Sequence, residues 1–353
     1  MKLAFLTTHL TGTGHLVRIL ALAAAGRDAG HQVLVLSGGR PLPHIDTGGV
    51  EVVQLPPLGV RDLDYKTLRK ECGAPADADY MAERSARIAE ELRRFAPDFL
   101  ITETFPLGRR ALAAEFEAAI DTTDARAVAS VRDIPEPKPR RLAEAETRLK
   151  RHYTALLVHG DADFLPLSAS WPLRGMEHLI HHTGYVARAE PVTPIPGDVV
   201  VSVGGGDLGG QLLSIAAESA LTSDRDWHLL AGSPPADLPS APNLRVEPPR
   251  SDYRGLLAGA QISVSLCGYN TAVDLAQADT PAILVPMTEG RELEQLFRAR
   301  ALARFEGFKH LRGTDLTADR LNTCIEALAG KRRKPLSLVM DGARTSIEIL
   351  GRL

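Results

Sequence analysis

Short apolar runs recur along the chain, and many of them end at glycine, proline or a polar residue. The pattern is clearest between residues 262 and 299. There an apolar run over Ile262–Leu266 precedes a helical pattern from Thr271, a second run over Ala282–Val285 and then a charged helix. Buried strands that alternate with helices predict a parallel sheet and an α/β fold class.

Polar residues follow the first strand of this unit. Gly268 predicts a tight turn, Asn270 and Thr271 are candidate helix caps, and Asp274 lies one turn further on. Open α/β sheets place ligands at this edge, and the free amides of a helix start attract anions. The pattern predicts a pocket for an anion with a diol beside it, although a glycine, a cap and an acidic residue are ordinary features of any strand–helix unit.

A second candidate site follows the first strand of the chain, Leu3–Thr7. A glycine-rich turn over Thr11–His15, which includes Gly14, precedes an apolar helix over Leu16–Ala25. Such a turn lets backbone amides approach a phosphate or an acceptor, but it also serves as a tight packing corner. The ordinary pKa of His15 suits proton transfer near neutral pH.

Three later strands of this half also end in polar residues. The strands with the residues that follow them are Phe99–Thr102 with Glu103, Ala127–Val131 with Arg132 and Asp133, and Leu156–Val158 with His159, Gly160 and Asp161. Each residue alone would be an ordinary cap or ion pair. Because the carboxyl ends of parallel strands meet at one edge, the set predicts a substrate cleft there.

Between these sites, strands are predicted over Gln32–Leu36 and Val50–Leu55. Residues 59–80 form a long polar stretch, which we expect to cover an acceptor site or to be disordered. The helical pattern over Tyr80–Phe95 has a mixed-charge outer face, which predicts a solvated surface.

A proline-rich stretch after Val186 predicts a linker between two domains. A new buried strand over Val199–Val203 follows it and leads into a second glycine loop, Gly204, Gly205 and Gly206. Further strands are predicted over Trp227–Ala231 and Asn243–Glu247.

Composition narrows the function classes. At 353 residues the chain is long enough for two domains with full cores. With 41 basic and 44 acidic residues, it has no general basic field for nucleic acid.

The three cysteines, Cys72, Cys267 and Cys324, are scattered, which favours neither a disulfide framework nor a metal site. No signal-peptide pattern or membrane-spanning run is visible, so we expect a cytoplasmic protein, with peripheral membrane contact left open.

The order Gly268, Asn270-Thr271, Asp274, "ILVP" and Glu294-Gln295 resembles the donor-binding half of MurG-like, family 28 type glycosyltransferases. The set "GHL", "SGG", "QLPPL", "SVRDI", "VHGD" and "TGYV" resembles a group of predicted bacterial glycosyltransferases related to MurG. The resemblance implies a GT-B fold, in which two Rossmann-like domains face each other across a cleft. It implies domains over 1–187 and 188–337, with a helix over 338–353 packed back on the first.

The resemblance also implies roles for single residues. A general base would come from His15, Asp133 or Glu103, in that order. Asp274 would bind the ribose diol, Glu294 and Gln295 the sugar hydroxyls, and the uracil ring would lie near Arg250, where the family has an aliphatic residue. The donor diphosphate would meet the glycine loops and the helix start, a set that comprises Gly14, Gly204, Gly205, Gly206, Gly268, Asn270 and Thr271.

Asp161-Ala162-Asp163 has the spacing of a metal and diphosphate site in the other large glycosyltransferase fold, but the domain order does not fit that fold. We therefore expect neither a metal nor a cofactor. The predicted reaction is inverting transfer of a sugar, with N-acetylhexosamine among the candidates, from a UDP-sugar to a hydroxyl of a lipid-linked acceptor or a cell-envelope glycan. A nucleotide-sugar hydrolase and a non-catalytic nucleotide-sugar sensor remain as alternatives.

Overall fold

The structure, a computed structural model, describes residues 1–42, 45–61, 64–187, 191–204, 209–286 and 293–353. The chain forms two compact units. Unit 1 comprises Met1–Val186 and Val339–Leu353, and unit 2 comprises Ala187–Leu338. None of the helices within the described ranges is long and apolar enough to cross a membrane.

The described part of unit 1 contains a sheet of seven parallel strands. The strands are β1 Lys2–Thr7, β2 Gln32–Ser37, β3 Glu51–Gln54, β4 Phe99–Glu103, β5 Arg126–Arg132, β6 Tyr153–His159 and β7 Ile180–His182. Their order across the sheet is β3-β2-β1-β4-β5-β6-β7. The order reverses between β1 and β4, and such a switch point is where open α/β sheets bind ligands at the carboxyl edge.

Both faces of this sheet are buried, which explains the continuous apolar runs of its strands. In β1, Ala4 and Leu6 belong to one apolar core, whereas Leu3 and Phe5 belong to the core on the opposite face. Helices cover both faces, as parallel sheets require. They are α1 Gly14–Asp28, α2 Ala78–Phe95, α3 Ala113–Asp121 and α4 Leu142–His152.

The predicted solvated face of α2 carries exposed charged residues, whereas Arg84 lies on the opposite, buried face. This side chain is fully buried and makes two hydrogen bonds of 2.9 Å to the Glu115 carboxylate of α3. It also donates to the carbonyl oxygens of Gly38 and Pro56. The pair therefore joins α2 and α3 to the loops that follow β2 and β3, a role that charge patterning alone does not reveal.

In the described part of unit 2, six parallel strands form a second sheet in the order β10-β9-β8-β11-β12-β13. They are β8 Gly197–Ser202, β9 Trp227–Leu230, β10 Leu244–Glu247, β11 Ala260–Ser265, β12 Ala282–Leu284 and β13 Phe308–His310. The helices are α5 Gly210–Ala220, α6 Tyr253–Gly259, α7 Tyr269–Gln277, α8 Glu294–Leu302 and α9 Ala318–Leu328. This order reverses between β8 and β11. The predicted α/β class is confirmed.

The last helix, α10 Gly342–Leu350, belongs to unit 1 and packs on α1. Ile347 and Leu350 are buried in the core that contains Ile19 of α1. The segment before the helix is held by Asp161, whose Oδ2 atom accepts a hydrogen bond of 3.1 Å from the Val339 amide. The Asp161 carboxylate thus ties the end of the chain to the edge of the first sheet.

Candidate active site

The switch point of the first sheet brings together two of the residues proposed as general bases. α1 begins at Gly14, so His15 lies in its first turn beyond β1, and Glu103 is the last residue of β4. The Nδ1 atom of His15 is 2.9 Å from the Oε1 atom of Glu103. The imidazole is 15% exposed and the carboxylate is buried. Two positions 88 residues apart in sequence therefore form one hydrogen-bonded pair.

Arg18 is a third member of this cluster. It lies one helical turn after His15, is buried, and its Nη2 atom donates to Oε1 of Glu103. Burial alone would raise the pKa of the Glu103 carboxyl, but Arg18 and the hydrogen bond from His15 lower that pKa by more. Glu103 is therefore ionised at neutral pH. It can only accept hydrogen bonds and serves as the partner of His15, so its prediction as a separate general base is not supported by the geometry.

The ionised carboxylate sets the tautomer of His15. Burial, assisted by the nearby Arg109 guanidinium, lowers the pKa of His15 to about 3 despite the opposing effect of Glu103. The ring is therefore neutral near pH 7. Nδ1 also lies 3.3 Å from Nη2 of Arg18 and 3.3 Å from the Thr104 hydroxyl. Its shortest contact is to Glu103, which can only accept, so we assign the proton to Nδ1, and Nε2 presents a lone pair. The arrangement has the logic of a histidine base oriented by a carboxylate.

Asp133 does not fit the role of a base. It lies just beyond β5 and has no exposed surface. Its Oδ1 atom accepts a hydrogen bond of 2.8 Å from the Ile134 amide, and Oδ2 lies 3.3 Å from the Tyr185 hydroxyl, which donates to it. These contacts tie the Asp133 carboxylate to the backbone after β5 and to Tyr185, so the geometry favours His15 over Asp133 as the base.

Arg109 was not identified from the sequence as a site residue. It has a left-handed backbone, with φ of 56°, and a half-buried side chain. Burial is the largest influence on its guanidinium and lowers its pKa to about 10, so it stays charged. It acts electrostatically on His9, His15 and Glu103. A positive charge therefore acts on His15 from the Arg109 side.

The long segment predicted to cover an acceptor site folds beside the glycine-rich turn of unit 1. The Tyr65 hydroxyl is 3.2 Å from the Thr11 hydroxyl. Arg69 forms isolated bridges with Gly59 and Pro75, and the Tyr80 hydroxyl donates to the Pro57 carbonyl. Asp62 and Leu63 lie outside the described residues. The segment is hydrogen-bonded where it is described.

In unit 2 the switch point lies between the loops that follow β8 and β11. Gly204, two residues after the end of β8, has φ of 78°, a conformation that favours glycine. Gly205 and Gly206 lie outside the described residues. Gly268 differs, since its φ of −64° suits any residue, so the tight turn predicted there does not require glycine. A Cβ atom at Gly268 would meet nothing within 4 Å, which leaves room at the start of α7.

The predicted caps of α7 are wrong. The helix begins at Tyr269 with Gly268 as its N-terminal cap, and no side chain caps it. Asn270 and Thr271 are therefore residues of the first turn, whose amides lie at the positive end of the helix dipole. The helix starts two residues before the predicted Thr271, because Tyr269 and Asn270 also belong to its first turn.

Asp274 lies in the second turn of α7, further along the helix than predicted. Its Oδ1 atom is 3.7 Å from the Nε atom of Arg254 on α6, and both side chains are about one-fifth exposed. Arg254 was not identified from the sequence. A ligand that hydrogen-bonds the Asp274 carboxylate would share it with this guanidinium.

Glu294 and Gln295 are the first residues of α8 and are both buried. Glu294 lies 3.8 Å from Arg298, one turn later, and Arg298 donates a hydrogen bond of 3.1 Å to the carbonyl oxygen of Cys267. The Arg298 guanidinium also lies 5.9 Å from the centre of the Tyr269 ring. Arg298 thus connects α8 to the turn that precedes α7. In the sequence, only its position four residues after Glu294 indicates an ion pair.

Arg250 is held by carboxylates of its own segment. It makes hydrogen bonds of 2.8 and 2.7 Å to Asp252 and of 3.0 Å to Glu247. These hydrogen bonds raise the pKa of its guanidinium. The side chain is therefore committed to local pairs, which leaves its backbone as the group to meet a base.

Within the described ranges, no group of three or more His, Cys, Asp or Glu side chains is arranged to hold a metal ion. Asp161 accepts hydrogen bonds from the amides of Asp163 and Val339. The Asp-x-Asp pattern at this position therefore has a structural explanation in the fold.

Comparison with known proteins adds sequence relatives and fold neighbours. No protein-family model matches the chain. Similar curated proteins are UDP-N-acetylglucosamine–N-acetylmuramyl-(pentapeptide) pyrophosphoryl-undecaprenol N-acetylglucosamine transferases. The one from Rhodopseudomonas palustris strain HaA2 is 35% identical over 103 residues, which cover 29% of this chain and 27% of that protein. The one from Synechococcus sp. strain JA-2-3B'a(2-13) is 30% identical over 161 residues, 40% of this chain and 44% of that protein.

Solved structures match over the whole chain. MurG of Acinetobacter baumannii superposes with a TM-score of 0.60 and 15% identity, covering 100% of both chains. The chain therefore has the GT-B fold of these glycosyltransferases. The kitacinnamycin glycosyltransferase has a TM-score of 0.64 and 16% identity, covering 99% of this chain and 98% of its own. The predicted MurG-like GT-B fold is confirmed, and the aligned stretches of the two curated relatives span 27% and 44% of their length.

Proposed function

We propose that this protein is a glycosyltransferase that moves a sugar from a UDP-sugar to a hydroxyl acceptor with inversion at the anomeric carbon. The observation that carries the proposal is the His15–Glu103 pair at the switch point of the first sheet. A neutral histidine whose Nε2 atom is free to accept, oriented by an ionised carboxylate, is suited to take a proton from a hydroxyl group.

In this mechanism the acceptor hydroxyl loses its proton to Nε2 of His15 while its oxygen forms a bond to the anomeric carbon. The bond from that carbon to the diphosphate oxygen breaks, and UDP leaves with the electron pair. The pKa of His15, about 3, is low for a base in the protein alone. The acceptor hydroxyl becomes strongly acidic as its oxygen bonds to the anomeric carbon, so the proton would move at that stage. The ionised Glu103 carboxylate would then stabilise the imidazolium form of His15.

We assign the donor to unit 2. The first amides of α7 and the glycine loop at Gly204, Gly205 and Gly206 would stabilise charge on the leaving diphosphate. Asp274 would accept hydrogen bonds from the ribose hydroxyls beside the Arg254 guanidinium, 3.7 Å away. Glu294 and Gln295 would bind sugar hydroxyls from the start of α8. No metal or cofactor is needed for these roles.

The curated relatives are named as N-acetylglucosamine transferases that act on a lipid-linked muramoyl pentapeptide. On that basis we propose UDP-N-acetylglucosamine as the first donor to test and a lipid-linked hydroxyl compound as the first acceptor class. Such an acceptor would bring a cytoplasmic protein to the inner face of the membrane. Arg109 and the segment around Tyr65 belong to the same unit as His15. We propose them as the groups that contact the acceptor.

The test is UDP release by the purified protein from a panel of UDP-sugars, first alone and then with a cell lipid extract. We expect release only with extract, and its loss in Asp274→Ala. Asp319→Ala removes an exposed carboxylate of α9 and should match the wild type. Release without any acceptor would identify a hydrolase instead. Binding of UDP without release under either condition would identify a sensor, and no binding would overturn the uridine assignment.

A further inference from the structure

A chain of hydrogen bonds continues from Glu103 through the interior of unit 1. Oε1 of Glu103 bonds His15, while Oε2 lies 2.9 Å from the Ser130 hydroxyl on β5. That hydroxyl is also 2.9 Å from Nε2 of His159, the last residue of β6. Nδ1 of His159 lies 3.0 Å from the Thr183 hydroxyl. Ser130, His159 and Thr183 are buried, and the sheet register places Ser130 beside Glu103.

The direction of each bond follows from proton counting. Glu103 is ionised and only accepts, so the single hydroxyl proton of Ser130 points to Oε2. Ser130 must therefore accept from His159, which requires a proton on Nε2. Burial is the main cause that lowers the pKa of His159 to about 3, so the ring is neutral and, with its proton on Nε2, its Nδ1 atom carries none. The Thr183 hydroxyl lies 3.0 Å from Nδ1 and donates to the carbonyl oxygens of Gly184, at 2.9 Å, and Val158, at 3.3 Å. From His159 to Glu103, each donor points towards Glu103.

We propose that Ser130 and His159 are positioning residues for His15. The proposal rests on the proposed function of His15 as the base. Ser130 holds the second oxygen of Glu103 and so fixes the plane of the carboxylate. The first oxygen then faces Nδ1 of His15, which turns Nε2 to the substrate side. His159 keeps the Ser130 proton directed at Glu103, because its own Nε2 proton occupies the acceptor site of the hydroxyl.

A carboxylate anchored at one oxygen alone could rotate about its last bond. Loss of the Ser130 hydroxyl would leave Oε2 and the Nε2–H of His159 buried without this partner, which is unfavourable for buried polar groups. His159 would regain a partner by moving its proton to Nδ1 and donating to Thr183. The proposal therefore predicts that removal of Ser130 changes the tautomer of His159.

The first test uses long-range proton–nitrogen NMR correlation on the wild-type protein near pH 7. We expect opposite neutral tautomers, with the proton on Nδ1 in His15 and on Nε2 in His159. Spectra of His15→Gln and His159→Gln assign the two rings among the 11 histidines of the chain. A proton on Nδ1 of His159 in the wild type would overturn the proposed chain. This result does not depend on whether any UDP-sugar is a substrate.

The second test is kinetic. We expect Ser130→Ala to lower kcat by about 10- to 100-fold, the range found when a partner that orients a metal ligand is removed, with KM for the UDP-sugar unchanged. Ser130→Thr keeps a hydroxyl and should recover most of the rate. In a His15→Ala background, Ser130→Ala should cause no further loss, because its effect passes through His15.

Ser170→Ala serves as the matched control, since Ser170 is buried in the same unit and its hydroxyl bonds the Leu167 carbonyl, outside this chain. Thermal unfolding of every variant shows whether a loss of activity comes from misfolding. If Ser130→Ala does not fold, His159→Gln tests the hydrogen-bond chain, because its amide can still donate to Ser130. If Ser130→Ala lowered kcat by the same factor in the wild type and in His15→Ala, the positioning role would be overturned. If the wild type turns over no UDP-sugar, the proposed function fails while the tautomer result still decides the hydrogen-bond chain.

Discussion

The Nδ1 atom of His15 lies 2.9 Å from the Oε1 atom of Glu103, at the point where the strand order of the first sheet reverses. The two residues come from different strand–helix units and meet because β1 and β4 are neighbours. Burial keeps the imidazole neutral, and Arg18 with His15 keeps the carboxylate ionised. The pair therefore has one proton in a defined place, on Nδ1.

Glu103→Gln tests the charge of this pair with little change in shape. The amide cannot stabilise an imidazolium ion, and it can donate to Nδ1, which would move the proton of His15 to Nε2. We expect kcat to fall by about 10²- to 10⁴-fold, the range of general acid–base contributions. Steady-state rates and the His15 tautomer should change together. Glu90→Gln, at an exposed position of α2, is the control.

Protein stability should rise with pH between about 3 and 6.5. The pKa values of His15 and His159 are each lowered from 6.5 to about 3 in the folded protein. The unfolded chain therefore binds more protons in this window, so the free energy of unfolding falls as pH is lowered. The pKa of Glu103 is also lowered in the folded protein. The stability that its ionised carboxylate contributes is therefore lost as the pH falls towards that pKa.

Each buried histidine contributes a slope of up to about 1.4 kcal/mol per pH unit within that window. Denaturant unfolding at several pH values measures the slope. His159→Gln should make it shallower, whereas His178→Asn, at an exposed position, should leave it unchanged. A slope that His159→Gln does not alter would contradict the assignment of a neutral buried ring.

Arg84→Ala should destabilise the protein by about 3–5 kcal/mol, the cost of breaking a buried ion pair from one side. The reason is that the buried Glu115 carboxylate would lose its two guanidinium bonds. Arg87→Ala removes a half-exposed arginine one turn away on α2 and should cost less than about 1 kcal/mol. Urea unfolding measures both. Similar losses for the two variants would show that the Arg84 pair is not buried in solution.

Arg298→Ala should weaken UDP binding by about tenfold, because the Cys267 carbonyl loses a charged donor worth about 1.5–3 kcal/mol. The turn before α7 would then be less well ordered. Arg300→Ala, exposed on the same helix, is the matched control. Calorimetric titration with UDP measures the change, and the His15 tautomer in unit 1 should not respond. Unchanged UDP affinity in Arg298→Ala would show that this turn is not part of the donor site.

Most strands could be predicted from apolar runs, because strands buried on both faces leave a continuous signal, as in Leu3–Leu6. The position of His15 could be predicted from its place after a glycine turn. Its pairing with Glu103 could not, since strand order decides which carboxyl ends are neighbours and no local pattern records that order. Asp133 and Glu103 have similar sequence contexts but different environments, and only packing distinguishes them.

Helix starts and buried charges were harder to predict. α7 begins at Tyr269, before the residues that resemble caps. Arg84 and Arg298 lie in charged helical patterns that predict exposure, yet both are buried against carbonyl oxygens supplied by distant loops. Such partners depend on tertiary contacts, which local spacing does not encode.

The central claim is that His15 removes a proton from an acceptor while UDP binds elsewhere on the chain. The most direct measurement compares UDP affinity and acceptor-dependent UDP release for the wild type and His15→Ala. The account predicts unchanged affinity for UDP and a rate lower by about 10²- to 10⁴-fold. Release at the wild-type rate by His15→Ala, with UDP bound equally well, would show that another group is the base.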